Sequence, residues 1–214
     1  MSVPGRVRYH HGDLRSALLR EAAALIRESG IDALSLRSLS DRAGVSRSAL
    51  YHHFRDKNDL LCAVAEQGFE ELAELLERSE ESALADLEIW LRGFVRAYIR
   101  FAADNVERYE LMFGRAIWKG GRPSESLKAV AYSAFRQYCE RISSALALLG
   151  ERDADVQRRL GQVSWATLHG LCRFMIDGIY VHPEDLDEIS QRSVTLLIDG
   201  LSTRQAHEDP GAVS

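Results

Sequence analysis

Cysteine is scarce in this sequence, which contains only Cys62, Cys139 and Cys172. The number is odd, the three residues lie far apart, and no Cys-x-x-Cys or Cys/His ligand spacing occurs. Neither a disulfide framework nor a zinc finger is therefore expected. We predict buried, inert thiols in a protein of the cytoplasm.

Proline and long apolar segments are also scarce. Four prolines are too few for the turns of a β-sandwich or barrel, so the chain favours helices. The first residues lack the apolar segment of an export signal, and no window approaches eighteen uncharged apolar residues. Because 46% of the residues are hydrophobic, the chain can bury a substantial core. An all-α fold without an export signal or membrane span is predicted.

A net positive charge is missing from the chain as a whole, whose formal charge is -5. Its distribution is uneven, because residues 1–60 contain ten Lys/Arg and seven Asp/Glu, whereas the remainder contains seventeen and twenty-five. A basic end on an acidic body is typical of a nucleic-acid-binding module attached to a domain that repels DNA.

Apolar residues in the N-terminal part recur every three or four positions, which indicates helices. After a basic, polar arm over residues 1–12, we predict a helix over 13–29. Ser35 is a good N-cap for a short second helix, and Gly44 can adopt the positive φ of a tight turn. A third helix over 47–53 completes a three-helix head of the helix-turn-helix type.

The rest of the chain has the pattern of longer helices in an antiparallel bundle. Pro123 suits the first turn of one of them, and Gly150 suits a C-terminal stop. The predicted ranges are Lys57 to about Arg78, then about 82–103, 106–114, 123–149, 153–179 and 185–204. About nine helices are expected in all, divided between domains at 1–56 and 57–214.

The head contains a distinctive string of residues. It includes Ala43-Gly44-Val45-Ser46, then Leu50-Tyr51-His52-His53-Phe54, and finally Lys57 followed by the paired leucines Leu60 and Leu61. Over about 50 residues this string closely resembles the head of the tetracycline-repressor (TetR) family. The resemblance implies that residues 1–56 bind operator DNA and that residues 57–214 bind a ligand and dimerise.

Two further features resemble one branch of that family. Tyr9-His10-His11-Gly12-Asp13-Leu14-Arg15 leads into the first helix, and Trp165-x-x-x-His169-Gly170 is similar to the so-called WHG C-terminal domain. The resemblance implies an all-helical homodimer that pairs through its last two helices. It also implies a small-molecule effector enclosed by the central helices.

We interpret the chain as a transcriptional repressor that an effector releases from a palindromic operator. An activator is the open alternative, because the position of the operator decides between the two. The free dimer would place two recognition helices about one DNA turn apart, roughly 34 to 36 Å. Effector binding would favour a conformer with the wrong spacing.

The predicted third helix, over 47–53, is the one that enters the major groove, so it must present hydrogen-bond donors there. Arg47, at its start, can donate to guanine O6 and N7, and the family pattern implies base contact by Ser48 and phosphate contact by Tyr51. Free amides at the start of the preceding helix also favour a phosphate. The complete predicted DNA-binding set is Ser35, Arg37, Ser46, Arg47, Ser48, Tyr51, His52, His53 and Lys57.

Aromatic residues of the C-terminal part can line an effector site, because such sites are mostly apolar with few polar groups. His169 shares a helical face with Trp165, and we leave open whether it faces ligand or core. The predicted ligand-binding set is Trp90, Phe94, Phe113, Trp118, Tyr132, Phe135, Trp165 and His169.

Metal binding and catalysis are not expected. Adjacent histidines such as His10-His11 and His52-His53 project to different sides of a helix, and no residue completes a tetrahedral set. The sequence has no nucleophile elbow or P-loop, so no catalytic residue and no cofactor is predicted. A helical protein-interaction module with incidental DNA binding is the principal alternative, and an enzyme is the other.

Overall fold

Helices account for the regular secondary structure of the protein. A computed structural model describes residues 11–78, 87–148, 150–179 and 185–208. Within these ranges no strand occurs, and nine helices of five or more residues are accompanied by two single turns, one α-helical and one 3₁₀. The prediction of an all-α fold with about nine helices is confirmed. The arm predicted over residues 1–12 lies largely outside the described residues.

The helices follow the order expected from the sequence, with two additional single turns. They are α1 (His11–Ser29), α2 (Leu36–Ala43), α3 (Arg47–Tyr51), α4 (Lys57–Arg78), α5 (Leu87–Asp104), α6 (Val106–Phe113), the single turn α7 (Arg115–Trp118), α8 (Glu125–Leu148), α9 (Ala154–Ile176) and α10 (Leu186–Glu208), with a 3₁₀ turn at Ile31–Ala33.

Local side-chain chemistry explains several helix ends. Gly150 has a φ of 100°, in agreement with its predicted role as a stop. Asp153 caps α9 by accepting hydrogen bonds from the amides of Asp155 and Val156. The expectation for Pro123 was wrong, because α8 begins two residues later and Ser124 accepts from the amide of Leu127.

Packing divides the chain into two compact units. The first contains the residues up to Phe69 together with Asn105–Ala131, and the second contains Glu70–Asp104 together with the residues from Tyr132 onward. The boundary at residue 56 stays a prediction about function, and the packing groups the segment 105–131 with the residues that contain the helix-turn-helix.

In the first unit, α1 packs against both α2 and α6, while α2 packs against α3. Fully buried apolar side chains from α1, α2, α3 and the segments that join these helices to their neighbours form its core: Leu18, Leu19, Ala22, Ile26, Leu34, Leu39, Leu50 and Phe54. Burying one leucine side chain contributes about 1.5 to 3 kcal/mol to folding, so this core holds the three short segments of the head together.

In the second unit, α5 packs against α9 and α10. Its core is rich in aromatic side chains, with Trp90, Phe94, Tyr98 and Tyr138 all buried. Every helix in the described ranges is too short or too polar to cross a lipid bilayer.

Candidate nucleic-acid interface

The turn between α2 and α3 has the geometry of a helix-turn-helix. Ser35 caps α2 by accepting from the amide of Ser38, whose own hydroxyl accepts from the Ser35 amide. Gly44 ends α2 with a φ of 66°, a left-handed conformation that favours glycine. Ser46 then caps α3 by accepting from the amide of Ala49. Four consecutive local signals therefore place α3 directly after a sharp turn.

Helix α3 has one buried and one exposed side. Leu50 and the following Phe54 are buried, which anchors the helix on the core of the first unit. The opposite side exposes Arg47, Ser48 and Tyr51, the last with 57% of its surface accessible. An exposed row of hydrogen-bond donors on a short, anchored helix is the arrangement that can enter a major groove.

The remaining predicted DNA-binding residues lie on α2, just after α3 and at the start of α4. Arg37 is exposed in the first turn of α2, and its Nε lies 4.0 Å from the Asp41 carboxylate. His52 is exposed at the end of α3, and His53 is half-buried. The Lys57 ammonium donates to the Ile31 carbonyl at 2.9 Å, which leaves two of its three N–H donors for another acceptor.

A bidentate ion pair that sequence reasoning missed holds α2 against α1. The guanidinium of Arg42 donates to both carboxylate oxygens of Glu28, at 2.6 and 2.8 Å, and to Glu21 at 2.8 Å. Its hydrogen bonds and charge lower the pKa of Glu28. Helical spacing places Glu21 and Glu28 on one face of α1, but nothing local to the sequence connects that face to Arg42.

The segment 119–126 is attached to the first turns of α4. The Asn58 side chain donates to the Arg122 carbonyl at 2.8 Å, and its oxygen accepts from the Arg122 amide at 3.2 Å. Two turns further along α4, the Glu66 carboxylate accepts from the hydroxyls of Ser124 and Ser126. This attachment also escaped sequence reasoning, because its partners are about 60 residues apart.

Four of the predicted ligand-binding residues lie together in the second unit. Trp90 stacks on Phe94 with the ring planes 8° apart and their centroids 5.6 Å apart. Phe135 and Trp165 meet edge to face at 5.6 Å. The buried ring of Tyr138 lies between the two pairs, at 5.3 Å from Phe94 and 5.1 Å from Trp165. These contacts make one continuous aromatic cluster on α5, α8 and α9.

The polar groups of this cluster differ in their partners. The Tyr138 hydroxyl donates to Ser164 at 2.9 Å, and Ser164 in turn donates to the Gly161 carbonyl. Burial is the main cause that raises the pKa of Tyr138 well above its usual range. The indole N–H of Trp90 is buried, yet no described residue accepts a hydrogen bond from it.

The other predicted ligand-binding residues lie elsewhere. Phe113 belongs to the first unit, where it contacts the rings of Phe69 and Tyr109. Trp118 belongs there too, and its indole donates to the Met112 carbonyl at 2.7 Å. In the second unit, Tyr132 is 67% exposed and His169 is half-buried on α9.

A crevice of about 360 Å³ in the second unit was not foreseen from the sequence. It is lined by Arg92 and Arg96 of α5 and by Ser190 and Gln191 of α10. Both arginines face carboxylates, since Arg92 is paired with Glu88 and the Nε of Arg96 lies 3.5 Å from Asp187. The positive charge of the crevice is therefore balanced by its own neighbours.

Metal and thiol chemistry have no support in the described ranges. They contain no group of three or more His, Cys, Asp or Glu side chains that could hold a metal ion. None of the three cysteines forms a disulfide within the described residues, and Cys62 and Cys172 are buried as predicted, whereas Cys139 is half-buried. Burial raises the pKa of the Cys62 and Cys139 thiols, which disfavours the reactive thiolate.

Two family models match this chain. A model described as "Bacterial regulatory proteins, tetR family" matches residues 18–64, and one described as "Tetracyclin repressor-like, C-terminal domain" matches residues 91–197. The first range contains the helix-turn-helix, and the second contains Trp165, His169 and Gly170.

Individual proteins are similar over most of the chain. The Escherichia coli tetracycline repressor protein class A from transposon 1721 is 31% identical over 207 residues, which cover 89% of this chain and 91% of that protein. A Rhodococcus sp. RHA1 protein of unknown function has a similar structure, with a TM-score of 0.77, 31% identity, and coverage of 91% and 98% of the two chains. A TetR family transcriptional regulator, PfmR from Thermus thermophilus, has a TM-score of 0.63, 25% identity, and coverage of 85% and 97%.

Proposed function

Because this chain belongs to the tetR family of bacterial regulatory proteins, we propose that it is an effector-responsive repressor that binds a palindromic operator as a homodimer. It is a DNA-binding transcriptional regulator and not an enzyme. Its site of action is the cytoplasm, where the bacterial chromosome lies.

The observation that carries the proposal is the exposed side of α3. Arg47 stands at the start of the helix and has no ion pair within the described residues, so its guanidinium is available to a guanine. Ser48 and Tyr51 flank it on the same exposed side. Lys57 and the capped start of α2 lie at the edges, where they can hold phosphates and set the angle of entry.

Selection of bound sequences from a random pool of duplexes tests this function with the full chain alone. The expected product is an inverted repeat whose half-sites are about one helical turn apart. A protein-interaction module with incidental DNA affinity would enrich no common sequence, and that result would refute the proposal.

Dimerisation through α9 and α10 is supported by apolar side chains that these helices expose. Val163 is 57% exposed and Phe174 is 49% exposed, and their spacing of eleven residues places both on one face of α9. Leu196 of α10 is 74% exposed. The neighbouring Leu197 and Leu201, which we also expect at this interface, lie outside the residues whose side chains are described.

The variant Leu196→Asp tests this dimer. A buried unpaired carboxylate costs several kcal/mol, so the dimer should dissociate at concentrations at which the wild type remains paired. Ile89→Asp is the matched control, because Ile89 is 60% exposed on α5 and does not belong to the proposed face. Sedimentation analysis that finds both variants dimeric would exclude this side of α10 from the interface.

The aromatic cluster is the proposed effector site. Its rings are mostly buried and apolar, and the Trp90 N–H is a buried donor that an acceptor on the effector can satisfy. Once a screen for operator release has identified an effector, Trp90→Phe should bind operator normally but weaken the effector about 5- to 150-fold, which corresponds to about 1 to 3 kcal/mol for an unsatisfied partner.

The matched control is Tyr138→Phe, because the hydroxyl of Tyr138 in the wild type is already bonded to Ser164 and is not available to the effector. Effector affinity should not change in this control. Equal effector affinities in wild type and Trp90→Phe would show that the indole N–H does not contact the effector. The coupling must also be reciprocal, so operator should weaken the effector by the factor by which the effector weakens operator.

A further inference from the structure

The loop that precedes α8 has an unusual concentration of unpaired positive charge. Arg115, Lys119 and Arg122 are all exposed, and within the described residues none of them takes part in an ion pair. We call these three residues the basic loop. Many other arginines of the chain differ, because they face carboxylates, as Arg42 and Arg173 do.

The basic loop belongs to the compact unit that contains the helix-turn-helix. That unit includes Asn105–Ala131, a segment with five Lys/Arg and three Asp/Glu. The chain as a whole is acidic, but this segment is basic. The fold groups it in one unit with residues 1–60, which are also basic. Charge of one sign concentrated in one unit raises the local potential toward an anionic partner.

The loop is held next to the expected phosphate-binding end of α4. Asn58, which follows Lys57 directly, binds both the amide and the carbonyl of Arg122. Gly121 permits this close approach, because a Cβ there would lie 2.6 Å from the Asn58 side-chain oxygen. Arg122 therefore lies at the first turn of α4, whereas Ser124 lies two turns further along that helix, where it is bonded to Glu66.

Internal bonds keep the rest of the loop in place. The Trp118 indole is bonded to the Met112 carbonyl, and Ile117 is fully buried. Arg115 begins the single turn α7, and Lys119 directly follows its end, where the Lys119 amide donates to the Arg115 carbonyl at 3.0 Å. A fixed backbone lets the three exposed side chains meet a partner with little loss of main-chain entropy.

We propose that the basic loop is a second DNA-contacting surface, which binds phosphates that flank the bases read by α3. This inference rests on the proposed function and extends the footprint on DNA beyond the helix-turn-helix. The contacts are to phosphate only, so they add affinity without sequence preference. A DNA duplex is the partner that fits, because the charge is unpaired, lies in the DNA-binding unit, and is attached through the Arg122 backbone to Asn58, the residue after Lys57.

The test compares the salt dependence of DNA binding in full-length variants. The triple variant Arg115→Gln, Lys119→Gln, Arg122→Gln should flatten the slope of log K against log salt by about 0.9 for each phosphate that is no longer neutralised. Near 0.15 M salt this corresponds to roughly five-fold weaker binding per phosphate, equally for the selected operator and for random duplex. The single variant Arg122→Gln, which alters only an exposed side chain, gives the same test if the triple variant does not fold.

The matched control removes the same charge from the second unit, with Arg100→Gln, Arg136→Gln and Arg152→Gln. These residues are also exposed, although Arg136 lies 3.8 Å from the Glu140 carboxylate, and a general effect of net charge would change both triple variants alike. A smaller slope in the basic-loop variant alone supports the proposal. Equal slopes in wild type and basic-loop variant, or equal changes in both variants, overturn it and leave the proposed function intact. Failure of the wild type to bind any duplex overturns both.

Discussion

Replacing Arg47 by alanine separates base recognition from every other role of the head. Arg47 is exposed and unpaired within the described residues, and Ser46 caps α3 without it. The free energy of unfolding should therefore change by less than about 0.5 kcal/mol. On DNA, removal of a bidentate bond to guanine should cost about 1 to 3 kcal/mol per head. On a palindrome the two heads of a dimer double this cost to about 2 to 6 kcal/mol, or at least about thirty-fold in Kd.

The assay measures Kd on the selected operator, on operators changed at one position per half-site, and on random duplex. Arg47→Ala should lose its preference at one position and bind random duplex nearly as well as the wild type. An equal loss on every duplex would assign Arg47 to phosphate contact. Unchanged binding to the operator would refute the role of α3 in base recognition.

Lys57→Ala provides the contrasting case. It should weaken all duplexes alike and flatten the salt slope by about 0.9 per head, since Lys57 is expected to bind a phosphate. Its ammonium also donates to the partly buried Ile31 carbonyl, so this variant should unfold more easily, by about 1.5 to 3 kcal/mol. A loss confined to one sequence would contradict the phosphate role.

Two further predictions concern the fold. Gly44→Ala should cost about 1 to 2 kcal/mol in chemical denaturation, because the φ of 66° is strained for alanine while a Cβ would meet no atom within 4 Å. Gly44→Asn should cost less, and equal stability of all three proteins would contradict a left-handed turn. Tyr138→Phe should cost about 1 kcal/mol by leaving Ser164 without its donor. Because burial raises the Tyr138 pKa in the folded state, wild-type stability is fully present below the unfolded value of about 10 and falls as pH rises above it. The phenylalanine variant should lack that part of the alkaline loss, and identical profiles for the two proteins would exclude Tyr138 as its source.

Local features of the sequence predicted the fold class and most helix boundaries. The predicted third helix began at 47 and the fourth at 57, as the structure has them, because Ser46 caps one and the Asp56 side chain accepts from an amide in the first turn of the other. The left-handed turn at Gly44 was equally predictable. Capping and helical periodicity involve residues a few positions apart, so a single sequence contains the information.

The predicted ligand-binding set shows which features local sequence patterns could not predict. Helical spacing alone could not separate the aromatic residues of one cluster from the others, but packing gathered Trp90 and Trp165 in one cluster, assigned Phe113 to the other unit and left Tyr132 exposed. The periodicity of a helix identifies an apolar face, and it does not identify the helix that this face will contact.

The sequence by itself therefore determined an all-helical chain with a capped helix-turn-helix whose third helix presents Arg47. Only the tertiary structure decided that residues 105–131 join this head, that Arg42 clamps Glu28, and that Asn58 holds Arg122 beside α4. The physical reason is distance along the chain. These pairs are 14 and 64 residues apart, and their side chains meet only after burial of the apolar faces has fixed which helices are neighbours.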